Sequence, residues 1–108
     1  MNKRREPVHP GKILLHQFME PLKLTQNKLA TALRIPNTRI GEIVNGRRAI
    51  TVETAYRLGR YFNVTPQFWM NLQQHYDLER ARDEIETKVQ REVEPLPVNE
   101  KAREIALT

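Results

Sequence analysis

Four side chains able to read the edges of base pairs lie close together before the middle of the chain: Asn37, Thr38, Arg39 and Glu42. Amide, hydroxyl, guanidinium and carboxylate groups are the donors and acceptors that distinguish base pairs in the major groove of DNA. At helical spacing these residues, together with Gly41, stay on the outward face when the apolar residues between them turn inward. The pattern therefore predicts a short helix that presents a hydrogen-bonding face to double-stranded DNA.

Two short helices joined by a tight turn are needed to position that face. Thr25 is the expected N-cap of the first helix, at about residues 26–33, because its hydroxyl can accept from unpaired N–H groups. The second is expected from about Pro36 to Val44, with Gly46 as its C-terminal stop. The inward positions of the pair are apolar at helical spacing: Leu29, Ala30, Leu33, Ile40, Ile43 and Val44.

Three further helices complete an all-α fold of five helices. The first is expected at about residues 9–20, where Pro21 stops it, because the residue before a proline avoids the helical region. Thr51 is the expected N-cap of the fourth helix, which ends near Phe62, and Thr65, followed by a proline, opens the fifth. Inward positions of these helices and of the first connector are Ile13, Leu14, Phe18, Leu22, Leu24, Ala55, Leu58 and Phe62.

The distribution of charge divides the chain. Residues 1–76 carry twelve Lys or Arg and four Asp or Glu, whereas residues 77–94 carry four and seven. A positive surface favours phosphate binding that weakens with salt. We expect a flexible basic arm at 1–8, a domain at 9–76, a charged helical extension at 77–94 and a flexible tail at 95–108 with a transient turn.

Two further features lie C-terminal to the pair of helices. Arg47 and Arg48 lie just past the predicted reading helix, where they can contact phosphates, and Ile50 is expected to pack inward as a plug. The extension carries a narrow apolar seam, which seldom holds a lone helix in water: Leu78, Ala81, Ile85 and Val89. That seam can dock on the domain, pair with a second copy or be ordered by another protein.

The composition gives no support for an enzyme, a metal site or a cofactor. The chain has no cysteine and no serine, and its three histidines lack partners at a metal-ligand spacing. Its four glycines are scattered, so there is no phosphate-binding loop. No apolar run approaches the roughly 18 residues of a membrane span, and no apolar segment follows the basic N-terminus. We therefore expect a cytoplasmic protein that does not enter a membrane.

The stretch TQNKLATAL-RIP-NTRIGEIVNGRR resembles a helix-turn-helix of the phage-repressor (Cro/C1, XRE) class. The wider frame, HPGKILLHQFMEPLKLTQNKLA and NGRRAITVETAYRLGRYFNVTPQFWMNLQQHYDLERAR, is similar to the HigA-type (VapI-type) antitoxins over residues 8–82. The resemblance implies a phage-repressor-like bundle that forms a homodimer, binds a palindromic operator and represses its own operon. It also implies neutralisation of a HigB-type toxin that cleaves messenger RNA, in a bacterial cytoplasm and on the nucleoid when DNA is bound.

The resemblance assigns roles by position. Asn37, Thr38 and Glu42, with Arg39 beside them, match the base-reading face, and the backbone contacts match Gln26, Asn45, Arg47 and Arg48. Pro36 stands where a serine or threonine is usual, and Arg34 replaces the usual turn glycine, which costs about 1 kcal/mol if φ must be positive. We predict a dimer surface from the fifth helix and its neighbours, with Phe68, Trp69 and Leu72 as candidates unless Trp69 is wholly intramolecular.

Three alternatives to this interpretation remain open at the level of sequence. One is a regulator that has no toxin. Another is a protein-binding antitoxin whose helix-turn-helix is mainly structural, because an acidic helix from residues 77–94 could cover a basic ribonuclease cleft. RNA binding has the least support, since no aromatic stacking platform of the usual kind is evident.

Overall fold

The computed structural model describes residues 6–97 and 100–107, and every regular element within them is helical. The basic residues of the predicted arm, Lys3, Arg4 and Arg5, lie outside this part of the chain. The first helix, α1 (Pro10–Ile13), continues in wider π-helical turns through Leu14–Met19. It is followed by α2 (Gln26–Leu33), α3 (Asn37–Val44), α4 (Val52–Phe62) and α5 (Pro66–Ala81). The all-α prediction is therefore confirmed.

The N-terminal ends of three helices are capped as the sequence predicts. The hydroxyl of Thr25 accepts from the N–H of Lys28 at 3.1 Å. Thr51 and Thr65 make the same contact, three residues ahead of themselves, at the starts of α4 and α5. Pro36 behaves differently from the prediction: it has an extended ψ of 141° and precedes α3 instead of occupying its first turn.

The core lies where the five helices meet, with α4 on α5, α2 on α3 and α4, and α1 against α3 and α5. Its fully buried large side chains include Leu14, Leu29, Ile40, Ile43, Ile50, Leu58 and Trp69. The inward stripes predicted for α2 and α3 are confirmed, with Val44 partly buried against the core. The prediction that Leu22 faces inward is wrong, because its side chain is 59% exposed in the connector after α1 and does not continue the apolar contact.

The chain beyond the core is helical for longer than predicted. A π-helical turn, Arg82–Glu86, joins α5 directly to α6 (Thr87–Glu92), and residues 93–97 are irregular. A last helix, α7 (Glu100–Leu107), occupies much of the stretch predicted to be a flexible tail. Its residues include good helix formers, which accounts for the helix, although every side chain described on it is exposed.

Several of the helices end at a residue whose backbone is in the left-handed conformation. Gly46 has a φ of 74° after α3, and its N–H donates to the carbonyl of Ile43 at 3.0 Å. Arg34 holds the equivalent place after α2, with a φ of 57°, while Ile35 N–H reaches back to Ala30 at 3.0 Å. Both are the double hydrogen-bonded helix ends in which glycine is usual. The positive φ considered for Arg34 is thus confirmed.

We expect Arg34→Gly to raise the free energy of unfolding by about 1 kcal/mol, because glycine carries no Cβ penalty in the left-handed region. The Arg34 side chain is exposed, so little packing is lost with it. Urea unfolding at fixed protein concentration measures the change. Asn63→Gly is the matched comparison, since Asn63 has a φ of 59° but asparagine tolerates this conformation better. Equal gains at both positions would contradict the explanation.

Candidate nucleic-acid interface

Helix α3 places the predicted base-reading residues together on one face. Asn37 and Thr38 are exposed at its start, and Arg39 and Glu42 are partly exposed further along. The opposite face is buried, since Ile40 and Ile43 have no exposed surface. The helix is therefore fixed by its apolar side, and its amide, hydroxyl and guanidinium groups face outward at its N-terminal end.

Gln26 links the two helices of the motif. Its side-chain Nε2 donates to the main-chain carbonyl of Asn37 at 3.1 Å, which ties the start of α2 to the start of α3. A Cβ at Gly41 would lie 2.8 Å from the same nitrogen, so the missing side chain at Gly41 gives the amide its place. Gln26 thus has a structural role in orienting α3, a role that sequence position alone did not reveal.

Glu42 and Arg48 are bound to each other. The Nε of Arg48 lies 2.7 Å from Oε1 of Glu42, with both side chains about half exposed. The sequence assigned Glu42 to base reading and Arg48 to phosphate contact, so the structure joins the two predicted roles. A carboxylate on this face is unfavourable next to phosphates, and the arginine partly neutralises it.

The loop Gly46–Ile50 is anchored to α5 by a side chain for which the sequence predicted no role. The N–H of Ile50 donates to Oε1 of Gln73 at 2.8 Å, and Gln73 itself is only 4% exposed. Its Nε2 in turn donates to Asp77 at 3.0 Å. Ile50 is buried as predicted, and Arg47 stays exposed on the loop. A buried glutamine on a mostly polar helix gives no sequence signal, because it matches the exposed glutamines around it.

His9 supports the same loop from the N-terminal side. Its Nδ1 accepts from the N–H of Gly11 at 2.9 Å and so caps α1. Its ring hydrogen-bonds the main chain of Arg48 and meets the ring of Tyr76 edge-on, with centroids 4.8 Å apart. The sequence predicted no role for any of the three histidines. Its position directly before Pro10 and a glycine is the signal, since a helix start needs an acceptor there.

Burial lowers the pKa of His9 below its ordinary value of 6.5. The Asp77 carboxylate and the hydrogen bond to Arg48 raise the pKa, and the Arg80 guanidinium lowers it, but the effect of burial dominates. Because the unfolded chain then takes up this proton more readily, the folded state keeps its full stability above about pH 6.5 and loses some as the pH falls through the folded value.

Replacing His9 with asparagine is therefore expected to flatten the dependence of stability on pH below 6.5. Asparagine keeps a capping acceptor but does not titrate. Urea unfolding of both proteins from pH 7.5 to 5 measures the two slopes. His16 and His75 are present in both proteins, so the difference isolates His9. Parallel curves for the two proteins would contradict the assignment.

The predicted dimer residues divide into buried and accessible ones. Trp69 has no exposed surface and stands among Phe18, Phe62 and Phe68, with ring centroids 4.9 to 6.3 Å from its own. The alternative that Trp69 is wholly intramolecular is therefore correct, and it cannot face a partner. Phe68 is 36% exposed and Leu72 is partly buried, so only these two of the three reach the surface.

In the part of the chain that the structure describes, no group of three or more histidine and acidic side chains could hold a metal ion. No helix in the same residues has the length and apolar character needed to cross a membrane. Asn45 ends α3 in an exposed position beside Gly46. Polar groups on α3 and cations on the following loop are thus the chemistry that this face offers.

Comparison with known proteins agrees with this geometry. Residues 15–69 match the helix-turn-helix family model. Virulence-associated protein I of Dichelobacter nodosus is 44% identical, over 71% of this chain and 71% of its own. Two solved structures superpose with a TM-score of 0.80: an addiction module antidote protein of the HigA family from Coxiella burnetii, at 42% identity over 85% of this chain and 100% of its own, and the Pseudomonas aeruginosa antitoxin HigA with the higBA promoter, at 40% over 83% and 98%.

Proposed function

This chain belongs to the helix-turn-helix family and to its HigA-like antitoxin branch, and from that premise we propose that it is a dimeric, sequence-specific repressor of its own operon. The proposal puts its action in the bacterial cytoplasm, on the nucleoid when DNA is bound. Its family relatives are DNA-binding regulators and antitoxins, not enzymes. The observation that carries the proposal is the outward face of α3, where Asn37 and Thr38 stand exposed at the N-terminal end.

Base reading falls to α3 in this proposal. Asn37 has an amide that can bind adenine with two hydrogen bonds, and the Thr38 hydroxyl and methyl suit several base edges. Arg39 favours guanine, and Glu42 can accept from a cytosine amino group. Because the buried Ile40 and Ile43 fix the rotation of the helix, these groups enter the major groove together.

Contacts to the phosphate backbone flank the reading helix. Gln26 lies at the start of α2, and Asn45, Arg47 and Arg48 lie at and beyond the end of α3. Such contacts fix the register of the protein on DNA without reading sequence. The anchoring of the loop by His9 and Gln73 gives Arg47 and Arg48 a defined position before DNA arrives.

Dimerisation follows from the small reach of one motif. One reading helix covers only a few base pairs, which gives weak discrimination. Two copies related by a two-fold axis reach successive major grooves about 34 Å apart, so a palindromic operator is the expected target. Sedimentation that finds only monomer at tens of micromolar would contradict this part of the proposal.

Toxin neutralisation is the second part of the proposal, and the HigA relatives support it. The expected partner is a small, HigB-type ribonuclease that cleaves messenger RNA. Co-purification of this chain with the product of an adjacent short reading frame, with loss of that product's RNA cleavage, is the test. A neighbour that neither binds nor cleaves would favour the alternative of a regulator without a toxin.

A gel-shift titration at two salt concentrations tests the repressor directly. The probe is the DNA upstream of the gene, and the control is a scrambled duplex of equal length. Tight, cooperative binding to the upstream DNA alone is the expected result. Equal, salt-sensitive binding to both duplexes would mean that the basic face is only electrostatic, and would favour the protein-binding module whose helix-turn-helix is structural.

The ion pair between Glu42 and Arg48 predicts that loss of the carboxylate strengthens binding to scrambled DNA more than binding to the operator. Glu42→Gln removes a negative charge from the reading face and frees Arg48 for phosphate, so affinity for scrambled DNA is expected to rise about threefold to tenfold. Discrimination between operator and scrambled DNA falls at the same time. Glu20→Gln is the matched control, because the Glu20 carboxylate also contacts a basic side chain, His16 at 3.0 Å, but away from α3 and its loop. Equal effects of both variants would contradict the local role of Glu42.

A further inference from the structure

A groove between α2 and α4 stands apart from the reading face. It has a volume of about 400 Å³ and is lined mainly by Ala32, Arg34, Tyr56, Arg57, Arg60 and Tyr61. The two tyrosines are 64% and 43% exposed, which is high for such large rings. None of its residues belongs to α3 or to the loop Gly46–Ile50. We call it the tyrosine groove.

The three arginines of the tyrosine groove differ in whether they already bind a partner within the chain. Arg57 is already engaged, since its Nε lies 3.1 Å from Glu53 and its Nη1 donates to the carbonyl of Leu33 at 3.0 Å. Arg34 and Arg60 are exposed and form no ion pair with any residue that the structure describes. The groove therefore offers two exposed aromatic rings and two guanidinium groups that are available to a partner. Tyrosine and arginine are among the residues that are enriched at protein interfaces.

The helical extension has the complementary chemistry. Along one side of it Leu78, Ile85 and Val89 are 72%, 53% and 45% exposed. Residues 77–94 around that seam carry seven acidic and four basic side chains. Since both the seam and the tyrosines are exposed in the single chain, the two surfaces are not covered by each other within it.

We propose that two copies of this chain associate by placing the extension of each in the tyrosine groove of the other. Leucine, isoleucine and valine of the seam pack on the faces of Tyr56 and Tyr61, and acidic side chains of the extension bind Arg34 and Arg60. A reciprocal exchange of this kind closes on itself and gives a two-fold dimer. The inference rests on the proposed dimeric repressor and names the surfaces that its dimer uses.

Cross-linking tests the exchange, because the chain has no cysteine of its own. Ala32→Cys marks the groove and Gln90→Cys marks the extension, and both positions are exposed and lie at the edge of the respective surface. The two full-length variants are mixed and treated with a short bismaleimide. Covalent dimers are expected in the mixture and not with either variant alone.

Charge reversal gives a second measurement, on protein that is not cross-linked. Arg60→Glu is expected to weaken the dimer about tenfold in sedimentation, and added salt to weaken the unmodified dimer. Arg103→Glu, which makes the same change at an exposed site on α7, is the control and is expected to leave the dimer unchanged. Equal effects of the two reversals would overturn the groove as the binding surface.

Other outcomes separate this inference from the proposed function. Cross-linking of Gln90→Cys with itself would mean that extensions pair with each other, and a dimer with no cross-link would use another face. Either result overturns the exchange and leaves the repressor intact. A monomer at tens of micromolar overturns both. Binding of a labelled single-stranded oligoribonucleotide that is lost in Tyr56→Ala would assign the groove to nucleic acid and also overturn the exchange.

Discussion

Gly11→Ala is expected to lower the free energy of unfolding by about 3 kcal/mol, which would be a large effect for removing no contact at all. Gly11 is buried where α1 crosses the C-terminal end of α3. A Cβ at this position would run into the carbonyl group of Ile43, 2.6 Å from its carbon, and would lie 3.0 Å from the Cα of Val44. All of these atoms are main chain, so no side chain can rotate away and α1 must move off α3.

Urea unfolding measures this change, and Gly41→Ala provides the matched control. A Cβ at Gly41 meets only the side-chain amide of Gln26, which is flexible and can give way. Alanine is also the better helix former within α3, which offsets the disturbed hydrogen bond from Gln26 to Asn37, so we expect a loss of less than about 1 kcal/mol at Gly41. A loss at Gly41 as large as the loss at Gly11 would contradict the distinction between main-chain and side-chain neighbours.

The second large effect is expected for DNA binding when Asn37, Thr38 and Arg47 are all changed to alanine. The two residues of α3 are each expected to contribute about 1–3 kcal/mol, and Arg47 adds a phosphate contact. Affinity for the operator is therefore expected to fall about a thousandfold and to approach that for scrambled DNA. All three side chains are exposed, so the free energy of unfolding is expected to stay nearly constant.

A control with the same residue types removes Asn71, Thr87 and Arg103, which are exposed on α5, α6 and α7. Gel shifts at two salt concentrations compare both triple variants with the unmodified protein. The control is expected to bind the operator normally. Operator binding that survives the loss of Asn37, Thr38 and Arg47 would contradict specific reading by α3 and favour the protein-binding alternative.

Local signals in the sequence predict much of the fold. Thr25, Thr51 and Thr65 each satisfy an N–H within the next turn, and such contacts depend on a few neighbouring residues only. The burial of Leu29 and Ile40 follows equally well from helical spacing. The outward placement of Asn37 and Thr38 is the complement of that spacing. The geometry of the candidate reading face was therefore predictable, and its binding role stays a prediction.

Contacts between distant parts of the chain could not be predicted in the same way. The bond from Ile50 to Gln73 joins residues 23 apart, and nothing in either residue identifies the other. The pairing of Glu42 with Arg48 depends on how Gly46 turns the chain after α3. Periodicity also shows which face of a helix is apolar but not what covers it. For that reason Trp69 was a candidate for a partner surface, whereas it fills the core.

The loop that carries Arg47 and Arg48 is held by one residue before the helix-turn-helix and one residue well after it, His9 and Gln73. A nascent chain contains His9 early in synthesis. It lacks the second support of the loop until Gln73, halfway along α5, has left the exit tunnel of the ribosome. Synthesis that stops short of Gln73 would yield a fragment containing the whole reading helix without a fixed loop. We therefore expect the proposed binding to an operator only late in translation, when nearly the whole domain can fold as one unit.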